Sequence, residues 1–188
     1  ILVCLAATAA VVCLLACTRP DHKPTTPLEK VVIAYSTPPH AVLAQIALVQ
    51  GYYLQEGLEP IPQFHPYGKI ALDAVLAGKA DFATVGETPA MFAIMKGEEI
   101  SILATIQASG KNTAIFARKD RGILSPADLK GRRIGVTCGT VGEFFMDAFL
   151  AVQGISRKDL QVVNLDPEAL QTALVTGAVD AVSTWNPV

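Results

Sequence analysis

An alternation of strand-like and helix-like segments occurs twice in this chain. The segment ALDAVLAGKADFATVGETP at 71–89 aligns with LQTALVTGAVDAVSTWNPV at 170–188, and this offset of 99 residues places Asp81 opposite Asp180. A period of this length exceeds that of solenoid repeats, so each copy can form a small lobe rather than one unit of an array. Two similar α/β lobes predict a cleft between them, faced by the carboxyl ends of the strands.

The secondary structure predicted for these lobes begins at residue 31. Short β-branched runs bounded by glycine or proline predict strands, and alanine- and leucine-rich stretches between them predict helices. The predicted strands are 31–36, 60–65, 81–86, 132–137, 161–165 and 180–184, with further extended segments at 100–109 and 113–119. In the first half the predicted helices are one that ends near Leu54, one over 71–78 and one that Thr88 caps before Pro89. In the second half they are a short helix that begins at Ser125, one from Thr140 to about Gln153 and one over 168–176. Strands alternating with helices imply an α/β fold with a parallel sheet.

The N-terminal residues 1–17 contain one non-apolar residue and no charge, and the positive mean hydropathy of +0.40 is concentrated in them. Their length fits the hydrophobic region of a secretory signal and is marginal for a membrane span. The ending Leu-Ala-Cys at Cys17 resembles a bacterial lipobox, in which a small residue precedes the cysteine that receives a lipid. We therefore expect a partial signal peptide at 1–16, lipidation of Cys17 and a proline-rich tether at 17–30. An uncleaved anchor helix is the alternative.

Composition and charge exclude several classes of function. A net charge of −2 and an aromatic content of 6% argue against nucleic-acid binding. Beyond the apolar segment Cys138 is the only cysteine, so we expect no internal disulfide. The three histidines are scattered without zinc spacing, so we expect no metal. The sequence shows no P-loop, no nucleophile–base pair and no paired carboxylates, so we expect neither a cofactor nor enzyme activity.

Three stretches, taken in order, resemble one known family. They are GKADFATVGETPAMFAIMKG at 78–97, SPADLKGRRIGVTCGT at 125–140 and ALVTGAVDAVSTWNP at 173–187. Over 31–188 the chain resembles the substrate-binding proteins of ABC importers, in the nitrate/sulfonate/taurine group related to thiamine-precursor binders. The resemblance implies the α/β, two-lobed periplasmic-binding-protein type II fold, with lobe 1 at 31–112 and lobe 2 at 113–188. It also implies that lobe 2 is incomplete and that the chain is truncated after Val188. The start at Ile1, without Met or a basic region, leads us to expect truncation at that end as well.

The candidate ligand site consists of loops that follow predicted strands. Hydroxyls after the first strand and the free N–H groups of two helix N-termini would hold an anion without a full positive charge. Trp185, the only tryptophan, resembles the cleft aromatic of the family and would line one side of the ligand site. The candidate set is Ser36, Thr37, Gly86, Glu87, Thr88, Gly139, Thr140, Val141 and Trp185.

Each candidate also has a purely structural alternative. Thr88 and Thr140 are expected helix caps in any protein, and Trp185 is equally suited to core packing. Glu87 would repel an anion, so it is better placed to interact with the helix N-terminus. The matching aspartates of the two repeats are expected to serve in turns rather than in chemistry.

The function predicted from these features is that of an extracytoplasmic, lipid-anchored and monomeric receptor. It would bind a small oxyanion between its lobes and deliver it to ABC permease subunits by hinge closure. A sulfonate is favoured, and nitrate, taurine and bicarbonate remain open. The alternatives are a pyrimidine-precursor binder or synthase-like enzyme of thiamine biosynthesis, and a ligand-sensing domain of a signalling protein.

Overall fold

The structure, a computed structural model, describes residues 27–186. The predicted signal peptide, the lipidation site Cys17 and most of the predicted tether therefore lie outside the described residues. Within the described range, no helix combines the length and the apolar character needed to cross a membrane.

The first sheet contains three parallel strands in the order β2-β1-β3. They are β1 (Glu29–Ser36), β2 (Leu58–His65) and β3 (Phe82–Ala83). Alternate residues of β1 face opposite sides of the sheet, so that Ala34 packs in one apolar cluster and Ile33 and Tyr35 pack in another. Strand β3 is shorter than predicted and pairs with β1 over two residues only.

The helices of the first half cover this sheet. They are α1 (Val42–Val49), α2 (Tyr52–Gln55), α3 (Gly68–Leu76) and α4 (Glu87–Met95), with a 3₁₀ turn at Pro39–Ala41. The prediction of one continuous helix ending near Leu54 is wrong. The chain adopts a left-handed conformation at Gly51 (φ 69°), which ends the first helix and allows a second one to begin.

The predicted start of α4 is also wrong by two residues. Gly86 is the N-cap, and Thr88 and Pro89 are the second and third residues of the helix. Proline is tolerated at this third position because the first N–H groups of a helix have no intrahelical partner to lose. Thr88 is instead a buried residue of the first turn, with 3% of its surface exposed.

The second sheet contains four strands in the order β4-β7-β5-β6. They are β4 (Thr113–Ala117), β5 (Arg133–Val136), β6 (Gln161–Asn164) and β7 (Ala181–Trp185). β5 pairs in parallel with β6 and with β7, whereas β4 is antiparallel to β7. The predicted parallel sheet is therefore wrong for β4, which enters this sheet without the crossover helix that a parallel neighbour requires.

Two α-helices pack against the second sheet, α5 (Val141–Val152) and α6 (Pro167–Thr176). Met146 and Leu150 of α5 are buried with Ile134 and Val136 of β5, and Leu170 of α6 packs in a cluster on the opposite side of the core. Short 3₁₀ turns lie at Lys119–Arg121, Pro126–Leu129 and Arg157–Asp159. Ser125 opens the second of these turns, as predicted.

The two copies of the sequence repeat have equivalent folds. Strands β2-β1-β3 and β6-β5-β7 occur in the same spatial order, and a helix precedes the last strand of each set. The paired aspartates do the same task in both: the carboxylate of Asp81 accepts the N–H of Val32 (2.8 Å), and that of Asp180 accepts the N–H of Arg133 (3.0 Å). The expectation that these aspartates are structural is confirmed.

The segment 100–109, predicted to be extended, forms no regular strand with any described residue. It links the two sheets, and its side chains Ile102 and Leu103 are exposed. Extended backbone becomes a strand only when a neighbouring strand satisfies its N–H and C=O groups, and the described part of the chain places none beside it.

Candidate functional site

A cleft of about 330 Å³ lies between the two halves of the molecule. Thr37, Pro38, Pro66 and Tyr67 line it from the first half, and Pro167, Glu168, Gln171 and Trp185 line it from the second. The lining therefore combines two aromatic side chains, one of which carries a hydroxyl, with one threonine hydroxyl, one amide, one carboxylate and three prolines.

The topology of the sheets places these residues together. In the first sheet Ser36 is in register with His65, so the segments that leave β1 and β2 emerge side by side at the carboxyl edge. The N–H of Thr37 donates to the carbonyl of His65 (3.0 Å) and holds the two exits together. Trp185 is the last residue of β7 and occupies the same edge of the second sheet. The predicted position of the cleft, at the carboxyl ends of the strands, follows from this arrangement.

Two equivalent helices begin on opposite sides of the cleft. Tyr67 is the N-cap of α3, and Asp166 is the N-cap of α6. The hydroxyl of Tyr67 donates to Oδ1 of Asp166 over 3.4 Å, so the two lobes touch directly at these caps. Burial and the neighbouring carboxylate of Asp166 raise the pKa of Tyr67, which keeps its hydroxyl protonated and able to donate.

A second contact crosses between the lobes beside this one. Gly139 has φ 76°, and a Cβ atom built on it would lie 2.8 Å from Cε of Lys69. The aliphatic stem of Lys69 therefore packs directly on the backbone of the loop before α5. Its ammonium group binds Asp73 (2.6 Å) one turn along α3.

Of the predicted site residues, Thr37 and Trp185 line the cleft. Thr37 is exposed, and its hydroxyl donates weakly to the carbonyl of Pro66 (3.3 Å). Trp185 is 8% exposed, so most of its ring is packed while one part faces the cleft.

Ser36 lies beneath the cleft rather than on its surface. It is fully buried, its N–H donates to Oγ1 of Thr84 (2.7 Å), and the two hydroxyls are 3.0 Å apart. The carbonyl of Ser36 accepts the side-chain amide of Gln45 (2.9 Å). These bonds fix the backbone from which the next residue, Thr37, extends into the cleft.

Gly86, Glu87 and Thr88 form the N-terminus of α4, which is not part of the cleft lining. The Glu87 side chain is exposed and lies near His40. Burial lowers the pKa of His40, and the carboxylate of Glu87 partly opposes that effect. The structure thus places Glu87 beside a histidine rather than beside Thr37 and Trp185.

Gly139, Thr140 and Val141 form the N-terminus of α5, and part of its N–H groups are already occupied. The N–H of Gly139 donates to Oε2 of Glu143 (2.7 Å), and Oγ1 of Thr140 accepts the N–H of Gly142 (3.2 Å). Thr140 is confirmed as the N-cap of this helix. Glu143 reaches one residue further back than a capping box requires, to Gly139.

The carboxylate of Glu143 is held in place by Arg157, which binds it at 2.8 Å and binds Asp147 at 2.6 Å. Burial alone would raise the pKa of Glu143, but the Gly139 N–H and the guanidinium of Arg157 outweigh it and the pKa is lowered. A negative charge therefore already occupies the N-terminus of α5, which makes this helix end a poor place for a second anion.

Within residues 27–186, no group of three or more His, Cys, Asp or Glu side chains is arranged to hold a metal ion. The described lining of the cleft contains no Lys or Arg, and Glu168 is its only charged side chain. What the cleft offers a ligand is a set of neutral donors, namely the hydroxyls of Thr37 and Tyr67, the amide of Gln171 and the indole of Trp185.

Sequence reasoning missed the cleft residues Tyr67, Glu168 and Gln171, together with the three prolines. One signal in the sequence points to Tyr67 and to the start of α6, and none points to the others. The repeat that aligns 71–89 with 170–188 also aligns Tyr67 with Asp166, so helix starts that face each other across a cleft should contribute equivalent positions. Pro167 after Asp166 is, in addition, the proline expected at the first position of a helix.

Comparisons with known proteins agree with the fold. A sequence model of the family described as NMT1/THI5 like matches residues 38–188. A binding protein of Brucella abortus (strain 2308) is 30% identical over 146 residues, which cover 78% of this chain and 44% of that protein. The taurine-binding periplasmic protein of Escherichia coli (strain K12) is 25% identical over 158 residues, which cover 84% of this chain and 48% of that protein.

A solved structure shows the same architecture. The periplasmic aliphatic sulphonate binding protein SsuA from Escherichia coli superposes with a TM-score of 0.64 at 24% identity, and the match covers 86% of this chain and 55% of that one. The α/β fold of periplasmic binding proteins expected from the sequence is thereby confirmed. The chain spans about half the length of the curated relatives it matches.

Proposed function

Because the chain belongs to the NMT1/THI5-like family, we propose that it is the solute-binding part of an ABC importer, which captures a small solute in the cleft between its lobes. The observation that carries this proposal is the cleft itself, to which both lobes contribute hydrogen-bonding side chains. Thr37 and Tyr67 come from one side, and Gln171 and Trp185 come from the other. A ligand that bonds to both sides favours the closed arrangement over the open one.

The solute class that we propose is a small organic sulfonate. A sulfonate is an anion with several acceptor oxygens, which neutral hydroxyl, amide and indole donors can satisfy. The taurine-binding relative supports the same class. Nitrate and bicarbonate are the smaller oxyanions that the same donors would accept, and a pyrimidine precursor is the neutral heterocycle that the test must include.

The mechanism that we propose treats lobe 1 (31–112) and lobe 2 (113–188) as bodies that close on the ligand. The contacts of Tyr67 with Asp166 and of Lys69 with Gly139 already join the two lobes and would be kept in the closed arrangement. An importer permease would recognise the surface that both lobes present when closed. No step requires bond making or breaking, so the proposed activity is binding and delivery rather than catalysis.

The location that we propose is extracytoplasmic, with a lipid on Cys17 as the membrane anchor. The lipobox-like ending before Cys17 and the proline-rich stretch after it support this, as does the periplasmic location named for the taurine-binding relative. The test is incorporation of labelled palmitate in a bacterial host, which we expect for the native chain and not for Cys17→Ala.

The experiment that tests the binding function is a thermal-unfolding panel on the purified protein. Ethanesulfonate, taurine, nitrate, bicarbonate and an aminopyrimidine would each be added at millimolar concentration. A ligand at about 100 times its Kd stabilises the folded state by about 2.7 kcal/mol, which shifts Tm by several degrees. We expect shifts with the sulfonates. A shift with the aminopyrimidine alone would replace the sulfonate proposal by the pyrimidine one, and no shift with any solute would contradict the receptor function.

A further inference from the structure

Strand β2 (Leu58–His65) forms one outer edge of the first sheet. It pairs with β1 on one side, and no strand of the described residues pairs with its other side. With eight residues it is longer than β3, β4 and β6, the other edge strands of the two described sheets. An exposed edge of this length presents backbone groups with which a strand of another chain can pair.

The backbone groups of β2 that point away from the sheet are those of its even-numbered residues. At one end of the pair the carbonyl of Gly57 accepts the N–H of Glu29 (2.9 Å), and at the other end the carbonyl of His65 accepts the N–H of Thr37 (3.0 Å). Successive residues of a strand direct their backbone groups to opposite sides, so the odd-numbered residues of β2 bond to β1. The outward residues are Leu58, Pro60, Pro62 and Phe64.

Two of these four outward residues have no N–H to offer. Pro60 and Pro62 leave the middle of the edge without a donor, and only the N–H groups of Leu58 and Phe64 remain. Because both prolines face outward, they remove no hydrogen bond to β1. The shorter edge strands β3, β4 and β6 contain no proline. Among the described edge strands, proline is therefore confined to the longest one.

The side chains along this edge would favour association if the edge could pair. Ile61 is 42% exposed and Phe64 is 57% exposed, and they lie on opposite faces of the strand. The ring of Phe64 stacks on that of Tyr35 with the centroids 5.6 Å apart, which holds it beside the edge. Glu59 is the only carboxylate of β2, which contains no Lys or Arg. A long edge with apolar side chains on both faces and little charge is prone to edge-to-edge aggregation.

We infer that Pro60 and Pro62 prevent a second copy of this chain from pairing with the outer edge of β2. They remove the two central N–H groups that an added strand would need for a continuous ladder of hydrogen bonds. This inference goes beyond the proposed binding function and does not depend on it.

The test is the double variant Pro60→Thr/Pro62→Thr, which restores both N–H groups with a residue that favours strands. In size-exclusion chromatography with light scattering, we expect its apparent mass to rise above that of the native protein as the concentration increases. Glu59→Thr is the matched control, because it adds the same residue to the same strand at a position whose N–H faces β1. It should keep the native mass.

A double variant that unfolds cooperatively in urea and yet has the native mass at every concentration would overturn the inference. Association of Glu59→Thr to the same extent would overturn it as well, because the restored donors would then not be the cause.

A third substitution separates edge pairing from aggregation of unfolded chains. In the double variant, Ile61→Lys places a charge beside the outer edge and should restore the native mass. Val152→Lys adds the same charge at an 82% exposed position of α5 and should not. Equal restoration by the two substitutions, or by neither, would assign the association to another surface and overturn the inference.

The native protein provides an independent measurement that needs no variant. The N–H groups of Ile61 and Gln63 face β1, whereas that of Phe64 faces outward. Amide hydrogen exchange should therefore be at least about 100-fold slower at Ile61 and Gln63 than at Phe64. Equal protection of Phe64 would show that another strand already pairs with this edge, which would overturn the inference.

Discussion

Tyr67 and Asp166, which are 99 residues apart and occupy equivalent places in the two repeats, contact each other across the cleft. Each is the N-cap of its helix, and the hydroxyl of Tyr67 donates to Oδ1 of Asp166 over 3.4 Å. An aspartate at this position commonly caps its own helix. Here its side chain makes no cap bond within α6 and instead joins the two lobes. The internal repeat thus supplies both partners of a contact between the lobes.

Removing this hydroxyl should weaken ligand binding without unfolding the protein. A long, partly exposed hydrogen bond of this kind contributes about 0.5–1 kcal/mol, so Tyr67→Phe should raise the ligand Kd by about 2- to 5-fold. Calorimetric titration with the best sulfonate of the panel measures this change. Tyr52→Phe is the matched control, because Tyr52 is exposed and lies outside the cleft. An unchanged Kd for Tyr67→Phe would show that the contact does not contribute to closure.

The stability of the second lobe should depend on the ionisation of Asp180. The side chain of Arg133 holds the pKa of Asp180 below its usual value of about 4, against the effect of burial. Because the pKa of Asp180 is lower in the folded protein than in the unfolded chain, the ionised carboxylate stabilises the fold. This stabilisation is complete at pH values above the unfolded pKa and is lost as the pH falls through the folded pKa. The free energy of unfolding should therefore decrease below about pH 4, as measured by urea denaturation.

Asp180→Asn removes this dependence and should destabilise the protein at pH 7 by about 2–3 kcal/mol, since the carboxylate accepts both the N–H and the guanidinium of Arg133. Asp81→Asn is the matched variant from the other repeat, where the carboxylate accepts the N–H of Val32. Its cost should be closer to 1 kcal/mol. Equal losses in the two variants would contradict the role given to the guanidinium.

Gly139 should be intolerant of a side chain for two separate reasons. Its φ of 76° disfavours any other residue by about 1–2 kcal/mol, and the added methyl would displace Lys69 from the opposite lobe. Gly139→Ala should therefore cost more stability than Gly122→Ala, where φ is also positive but a Cβ would meet no atom within 4 Å. Combining Gly139→Ala with Lys69→Ala should recover the excess. No recovery would mean that Lys69 does not restrict this position.

The thiol of Cys138 should react slowly in the folded protein. Burial raises its pKa, the Glu143 carboxylate raises it further, and Arg157 only partly offsets these effects. Because the thiolate is the reactive form, alkylation at pH 7.5 should be at least about 10-fold slower than that of a free thiol. Peptide mass spectrometry isolates Cys138 from the other three cysteines. A rate equal to that in urea-unfolded protein would contradict the described environment.

Much of the fold followed from local sequence signals, because the strand runs and the capping residues act over short distances, as Thr140 does at the start of α5. The shared role of Asp81 and Asp180 was predicted from the repeat instead, since their carboxylates accept N–H groups 49 and 47 residues away. Features that depend on neighbours distant in sequence could not be predicted in this way. The antiparallel pairing of β4 depends on which strand it meets, and no pattern within Thr113–Ala117 encodes that partner.

The site was predicted less completely for the same reason. Ser36 has the residue type expected of a ligand contact, but its hydroxyl faces Thr84 in the core. The N-terminus of α5 was expected to hold an anion, yet Glu143 of its own first turn accepts the Gly139 N–H there, and Arg157 from the turn after the helix holds that carboxylate. Tyr67 carries no local signal at all and enters the cleft because its helix faces the equivalent helix of the other lobe.

The central claim, that a small solute binds between the lobes against Trp185, has a direct optical test. Trp185 is the only tryptophan of the chain and lines the cleft, so its fluorescence reports on that place alone. Titration with the best sulfonate of the panel should give a saturable change in intensity or emission wavelength, which Tyr67→Phe should shift to higher concentration and Tyr52→Phe should not. Binding detected by calorimetry with no change in the Trp185 signal would place the ligand elsewhere and contradict the account.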